Sequence, residues 1–106
     1  MVVRVLNVIY MNEEVIETKL TELRNNKVVI VAPSFGTTSY SYNGDLFSTL
    51  ESFPIKFHFT GDNVAILFQA SDVEYIEIKP VTADVSINII RLKGPHDYTE
   101  DYQKTP

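Results

Sequence analysis

The sequence predicts a mainly β protein of the α+β class, organised as a small, strongly bent antiparallel β-barrel with one N-terminal amphipathic helix and flanking strands. Two observations lead to this prediction. Over residues 27–78, alternating and continuous apolar runs are separated by turn residues, a pattern that indicates five strands. Ahead of this stretch, a capping residue followed by glutamates and a helically spaced apolar stripe indicates one helix.

The predicted helix has signals at both of its ends. Asn12 can act as the N-cap, and Glu13 and Glu14 follow in the first turn, where the helix dipole favours negative charge. At the other end, Asn25 and Asn26 can supply the left-handed residue that closes a helix. One apolar stripe runs between the two ends, so the helix must lie on another element. The stripe consists of Ile16, Leu20 and Leu23.

The strand predictions rest on β-branched and aromatic residues bounded by turn residues. The clearest pair is a hairpin, because residues 60–63 (TGDN) form a tight-turn sequence between two apolar runs. Alternation in the first of these runs places Phe57 and Phe59 in the core. Residues 28–32 are continuously apolar, as expected of a strand covered on both faces. We expect strands within residues 2–10, 28–32, 37–42, 55–60, 64–68, 72–79 and 84–92.

Two interpretations remain open for Asn43-Gly44. This dipeptide is a strong signal for a two-residue hairpin turn, which would pair the residues before it with those after it. Alternatively, one bent strand runs through both residues without a turn. Both interpretations leave a mostly antiparallel β protein.

The order of elements resembles the Sm-like small-barrel family, in which an N-terminal helix precedes a strongly bent sheet. The first signature of that family is a strand, a glycine turn and an aromatic-x-Gly-x-Leu pattern. Residues 28–31, Gly36 and residues 42–46 (YNGDL) follow this order. The second signature is an apolar strand, a short polar turn and an isoleucine-rich finish, which residues 64–68, 69–72 and 73–78 follow. The resemblance covers about half of the chain.

The sequence departs from the family where the family contacts RNA. The expected aspartate-asparagine pair is missing from residues 48–56 (STLESFPIK), and Gln69-Ala70 replaces the arginine-glycine of the second signature. The resemblance therefore implies the fold without its uridine-binding site.

Composition and charge limit the classes of partner. The 106 residues carry a net charge of −5 and no cysteine, and the nine basic residues are scattered. Such a surface argues against nucleic-acid binding, which normally uses clustered lysine and arginine. We expect one domain over residues 1–94 and a flexible acidic tail over residues 95–106, which contributes no apolar burial. The apolar N-terminus is too short to span a membrane, so a soluble cytoplasmic protein is expected.

No residue pattern indicates catalysis, a cofactor or a metal site. His58 falls on the outward face of a predicted strand and His96 falls in the tail, and neither has a positioned partner in local spacing. The carboxylates of the helix form a solvated face, and the acidic turn sequences lack the alternation of a calcium loop. We therefore expect a protein that is not an enzyme.

Protein binding is the function that the remaining features favour. Tyr40 and Tyr42 are amphipathic side chains of the kind found at interfaces. Residues 84–92 form the outermost predicted strand, and an exposed strand edge invites pairing with another chain. We expect a homo-oligomer or another protein complex whose interface uses this strand, with Ile87 and Ile89, or the tyrosines Tyr40 and Tyr42, or both. The alternative function is a small-barrel nucleic-acid-binding protein, which the fold resemblance favours and the charge opposes.

Overall fold

The computed structural model describes residues 7–33, 39–49, 54–94, 96 and 98–99. One α-helix and seven strands lie within these residues, together with a short 3-10 turn at Ala70–Asp72. In chain order they are β1 (Val8–Tyr10), α1 (Glu13–Leu23), β2 (Lys27–Pro33), β3 (Ser39–Thr49), β4 (Lys56–Gly61), β5 (Val64–Phe68), β6 (Val73–Pro80) and β7 (Ser86–Leu92). The predicted mainly β, α+β class with one N-terminal helix is confirmed.

The seven strands form one sheet in the order β1-β6-β7-β2-β3-β4-β5. All neighbouring strands are antiparallel except β2 and β7, which are parallel. The sheet is therefore mixed, whereas we had predicted an antiparallel one. In the sheet, β6 and β7 lie between β1 and β2. The parallel pair arises because this order places β7 directly beside β2.

Helix α1 has the ends that the sequence predicts. The Asn12 side chain accepts hydrogen bonds from the backbone N–H groups of Glu14 and Val15, at 2.9 and 3.3 Å, so it satisfies donors that the first turn leaves without partners. Asn25 has a φ of 65°, the left-handed conformation expected just after the helix. The predicted apolar stripe is buried in the core.

Strand β3 runs without a turn through Asn43 and Gly44, so the hairpin interpretation of this dipeptide is wrong and the continuous strand is correct. The first part of β3 pairs with β2 and the last part pairs with β4, and the two ladders overlap at Gly44 and Asp45. Backbone hydrogen bonds to β3 continue from β2 into the residues just after α1. The Asn25 N–H donates to the Leu46 carbonyl oxygen, and the Leu46 N–H donates to the Asn26 carbonyl oxygen.

The described strands do not close into a barrel, which corrects our prediction. Within the described residues, β1 pairs with β6 and β5 pairs with β4, and these two strands stand at opposite ends of the order. Burial of the core is achieved instead by laying α1 on one face of an open sheet. The predicted strands within residues 2–6 and 37–38 lie outside the described residues.

The core contains the side chains that alternation predicts from the clearest hairpin. Phe57 and Phe59 are fully buried, and Phe57 stacks on Phe68 with 5.8 Å between ring centroids. The turn between β4 and β5 is Asp62-Asn63, with Asn63 at a φ of 58°. Aliphatic side chains from α1 and from both halves of the sheet complete the core: Ile16, Leu20, Leu23, Val28, Ile30, Leu46, Ile66, Ile76, Ile90 and Leu92.

Tyr98 contradicts the expectation that residues 96–106 contribute no apolar burial. Its side chain is only 4% exposed and belongs to the core. The Tyr98 hydroxyl donates a hydrogen bond to the carbonyl oxygen of Lys93, and the Lys93 N–H in turn donates to the carbonyl oxygen of Asp72. These contacts attach the chain after β7 to the 3-10 turn. The predicted flexibility of residues 100–106 falls outside the described residues.

Candidate binding surface

The cross-strand register divides the side chains of the sheet between two faces, because residues directly opposite each other in neighbouring strands lie on the same face. One row crosses five strands and includes the buried side chains of Ile30, Ile76 and Ile90. This face shares its core with α1, and we call it the inner face. The complete row is Tyr42, Ile30, Ile90, Ile76 and Tyr10.

The opposite, outer face carries a group of exposed aliphatic side chains. The row beside the one just described is Asn43, Val29, Ile89, Glu77 and Ile9. Ile9 is 54% exposed, whereas Val29 and Ile89 are half-buried. Ile87 is on the same face, opposite Lys79, and is 38% exposed. We call Ile9, Val29, Ile87 and Ile89 the outer-face patch.

Within the described part of the chain, no helix lies over the outer-face patch, since α1 packs on the inner face. Val29 and Val31 of β2 are consequently half-buried, although their counterparts Val28 and Ile30 are buried. The prediction that β2 is covered on both faces is wrong for this reason.

Charged groups of both signs border the outer-face patch. On β6, Glu77 and Lys79 lie two residues apart and on the same face as Ile9 and Ile87. The Glu77 carboxylate accepts a hydrogen bond from the Asn7 side-chain amide at 2.9 Å. Next to them, Arg91 Nε lies 3.4 Å from the carboxylate of Glu74. The patch is thus framed by a mixture of acids and bases and not by one sign of charge.

The four residues predicted for the interface are not brought together. Tyr40 and Tyr42 are on the inner face, opposite Ala32 and Ile30, whereas Ile87 and Ile89 are on the outer face. Tyr42 packs against the core, and Tyr40 is 51% exposed beyond it. One flat contact cannot include both pairs of side chains.

Strand β7 is an interior strand, which corrects the expectation of an exposed edge at residues 84–92. It pairs with β6 along its length and with β2 over residues 89–91. It does not pair with the N-terminal strand, which is bonded to β6 instead. Any contact made by Ile87 and Ile89 therefore uses their side chains on the outer face and not an open backbone ladder along the whole strand.

A cleft of about 570 Å³ opens at one end of the outer-face patch. Four strands contribute to it, because β7, β2, β3 and β4 are neighbours in the sheet. Its polar lining residues include Asn43, Asn88, Asp45 and Asp62. The remaining lining residues are Lys27, Val28, Val29, Gly44, Thr60, Gly61, Ser86 and Ile87.

The histidines lie far apart in the chain and in different surroundings. His58 is half-buried on β4 and lies opposite Phe47 and Leu67 on the outer face. The His96 ring makes an edge contact with the Tyr98 ring, with 4.7 Å between centroids. Among the described residues, no three histidine or acidic side chains come together in a group that could hold a metal ion.

Sequence reasoning identified Ile87 and Ile89 but missed the other members of the outer-face patch. The sequence predicts a strand that contains Ile9 but not the face on which Ile9 lies, and it predicts that the strand of Val29 is covered on both faces. The cleft residues Asn43 and Asp45 belong to the segment for which the sequence leaves both a hairpin turn and a continuous strand open. Their alternation with Tyr42, Gly44 and Leu46 along one strand was the available signal for their position on the outer face.

Comparison of the chain with protein-family models, with curated proteins and with solved structures finds no match. The resemblance to the Sm-like family thus stays a prediction. None of the described helices is long and apolar enough to cross a membrane.

Proposed function

We propose that the protein is a non-enzymatic protein-binding or assembly module that associates with a second copy of itself through the outer-face patch. The observation that supports this proposal is the unequal covering of the sheet. Helix α1 buries the inner face, whereas aliphatic side chains stay exposed on the outer face. Removing apolar surface from water is favourable, which favours covering these side chains.

The arrangement of charge around the patch favours a second copy as the partner. In a two-fold symmetric contact the same surface meets itself, so each acid must find a base on its own face. Glu77 and Lys79 meet this requirement, because an antiparallel approach of two β6 strands places each Glu77 near the partner's Lys79. Rows of one sign would instead repel each other.

A contact of this kind extends beyond the four aliphatic residues. Stable interfaces bury about 800 Å² on each partner, more than four side chains provide. The neighbouring outer-face residues Val31 and Tyr75 are half-buried and border the patch, so they supply further contact area. Tyrosine is enriched at the centre of such interfaces.

Nucleic-acid binding receives less support as an alternative. The chain carries a net charge of −5, and the basic groups on the outer face stand beside acids. Binding to a phosphate backbone needs an excess of positive charge on one surface.

We place the protein in the cytoplasm, where a chain without cysteine is suited to reducing conditions.

Sedimentation velocity of paired variants tests the proposal. Ile87→Lys introduces a charge into the outer-face patch at a side chain that is 38% exposed, so the single chain should still fold. We expect this variant to sediment as a monomer while the wild-type protein sediments as an oligomer. Val15→Lys is the matched control, because Val15 is 44% exposed on α1, on the other side of the sheet. The control should sediment like the wild type.

Two results would overturn the proposal. A wild-type protein that stays monomeric excludes self-association. An Ile87→Lys variant that folds, as judged by circular dichroism, and still forms the wild-type oligomer excludes the outer-face patch as the contact. If Ile87→Lys does not fold, Ile9→Lys provides the same test, since Ile9 is 54% exposed.

A further inference from the structure

The cleft at the end of the outer-face patch exists because two parallel strands separate there. The pairing of β2 with β7 covers Val29 to Val31 and Ile89 to Arg91. Strand β7 begins earlier, at Ser86, while the chain before β2 turns away to bond with Leu46 of β3. Ser86 and Ile87 therefore have register partners on β6 but none on β2.

A strand edge without a neighbour presents main-chain N–H and C=O groups that another extended chain can bond. In this protein the edge without a neighbour is short, and its residues Ser86 and Ile87 line the cleft. The cleft volume of about 570 Å³ lies within the roughly 300–1,000 Å³ typical of binding pockets. A short extended peptide segment has the main-chain groups that such an edge can bond.

The side chains that line the cleft match a peptide better than an anion. Asn43 and Thr60, which the register places on the outer face with Val29 and Asp45, offer neutral donors and acceptors, which suit peptide amide groups. Asp45 and Asp62 contribute two negative charges, and Lys27, opposite Asp45 in the ladder, contributes one positive charge. The balance is negative, as it is for the whole chain at −5. The charge of the cleft and the charge of the whole chain therefore both favour a positively charged ligand.

Apolar surface lies beside these carboxylates. Val29 and Ile87 line the same cleft and belong to the outer-face patch, so a bound peptide competes with a second copy for these two side chains. Lysine and arginine have long apolar stems and a charged end, so such a side chain can lie along the two aliphatic residues and reach a carboxylate. This combination distinguishes a basic side chain from a small inorganic cation.

We propose that this cleft binds an extended basic peptide segment of a partner protein, an inference that rests on the proposed function as a protein-binding module. The peptide main chain bonds to the edge of β7 at the one of Ser86 and Ile87 whose N–H and C=O groups point away from β6, because these groups alternate between the two edges of a strand. A lysine or arginine side chain of the peptide extends over Val29 toward Asp45 and Asp62.

Two blocked tripeptides test this inference: acetyl-valyl-lysyl-valine amide and its counterpart with glutamate in place of lysine. Each is titrated into the ¹⁵N-labelled wild-type protein, and the amide signals of Gly44, Gly61 and Ile87 are followed by NMR. We expect saturable shifts of these signals with the lysine peptide and at least 5-fold weaker binding of the glutamate peptide.

A pair of charge variants identifies the residues responsible. The double variant Asp45→Asn with Asp62→Asn keeps the size of both side chains and should weaken binding of the lysine peptide by about 10-fold, because both attractive charges are lost. Glu13→Gln removes one charge from the exposed start of α1 and should leave binding unchanged. Equal binding of the two peptides, or no saturable shift at the cleft at millimolar peptide, would overturn the inference.

The two proposals can fail separately. The double variant retains Ile9, Ile87 and Ile89, so its oligomeric mass should equal that of the wild type. An oligomeric wild type that does not bind the lysine peptide contradicts only the cleft, whereas a monomeric wild type that binds the lysine peptide contradicts only self-association.

Discussion

Gly44 shows how one residue decides the path of a strand. It lies opposite Gly61 in the ladder between β3 and β4. A β-carbon added to Gly44 would overlap the carbonyl oxygen of Thr60 and would lie 2.8 Å from both Phe59 Cζ and Gly61 Cα. The glycine therefore serves the close approach of two strands over a buried phenylalanine. That requirement explains why a glycine stands at position 44 although the strand continues through it without a turn.

Replacing Gly44 with alanine should destabilise the protein strongly. The added methyl group meets main-chain atoms, which cannot move aside as a flexible side chain can, so we expect a loss of about 3 kcal/mol in the free energy of unfolding, the upper end for overpacking. Ser41→Ala is the control, because Ser41 is exposed on the same strand and its replacement should cost less than about 0.5 kcal/mol. Urea unfolding followed by circular dichroism measures both. Similar midpoints for the two variants would contradict this explanation of Gly44.

The tyrosines show what a local pattern predicts and where it stops. Period-two alternation correctly placed Tyr40 and Tyr42 on a common face. Whether that face is the inner or the outer one depends on the pairing of the tyrosines with Ala32 and Ile30 and on the packing of α1 over the same side of the sheet. Neither fact is contained in residues 37–42, so an interface that combined these tyrosines with Ile87 could not be tested from the sequence.

At the scale of elements, the structures with local signals were predicted well. The Asn12 cap and its apolar stripe identified α1, and the turn at Asp62-Asn63 identified the hairpin of β4 and β5. Strand β7 was found close to its actual bounds, but its position in the sheet was wrong. Its parallel partner β2 lies about sixty residues earlier in the chain, and pairing over such a separation leaves no mark in the local pattern.

The segment after β7 provides a second prediction. Tyr98 is buried in the core, so truncation after Lys93 removes a large aromatic side chain and should lower the free energy of unfolding by about 3–5 kcal/mol, as Phe→Ala substitutions in cores do. This replaces the sequence-based expectation of a negligible effect. Truncation after Thr99 keeps Tyr98 and is the matched control, expected to cost far less.

Thermal unfolding of both truncated chains measures the difference. Tyr98→Phe in the full chain keeps the ring and removes the hydrogen bond to the Lys93 carbonyl, so it should cost only about 0.5–1.5 kcal/mol. If the chain truncated after Lys93 unfolds at the same temperature as the chain truncated after Thr99, the burial of Tyr98 does not stabilise the fold.

At the scale of the whole molecule, the alternation of strands predicted a bent sheet but could not predict whether it closes. Closure requires the two outermost strands to pair, and among the described strands β1 and β5 are bonded elsewhere. Within the residues that the structure describes, an open sheet with one helix on its inner face has no helix over its second face, which a closed barrel would not leave exposed. The candidate binding surface is thus a consequence of the open sheet, which the sequence could not show. Its individual members, Ile87 and Ile89, could be named beforehand, but not the face that unites them with Ile9.

The native mass of the wild-type protein tests the central claim most directly, because an exposed aliphatic patch bordered by paired charges should be covered by a second copy. Multi-angle light scattering over a series of protein concentrations measures this mass without any substitution in the chain. We expect a mass that is a whole multiple of the 12.1 kDa chain mass and that falls toward one chain only on dilution. A mass of 12.1 kDa at every concentration up to the millimolar range would contradict the proposed self-association.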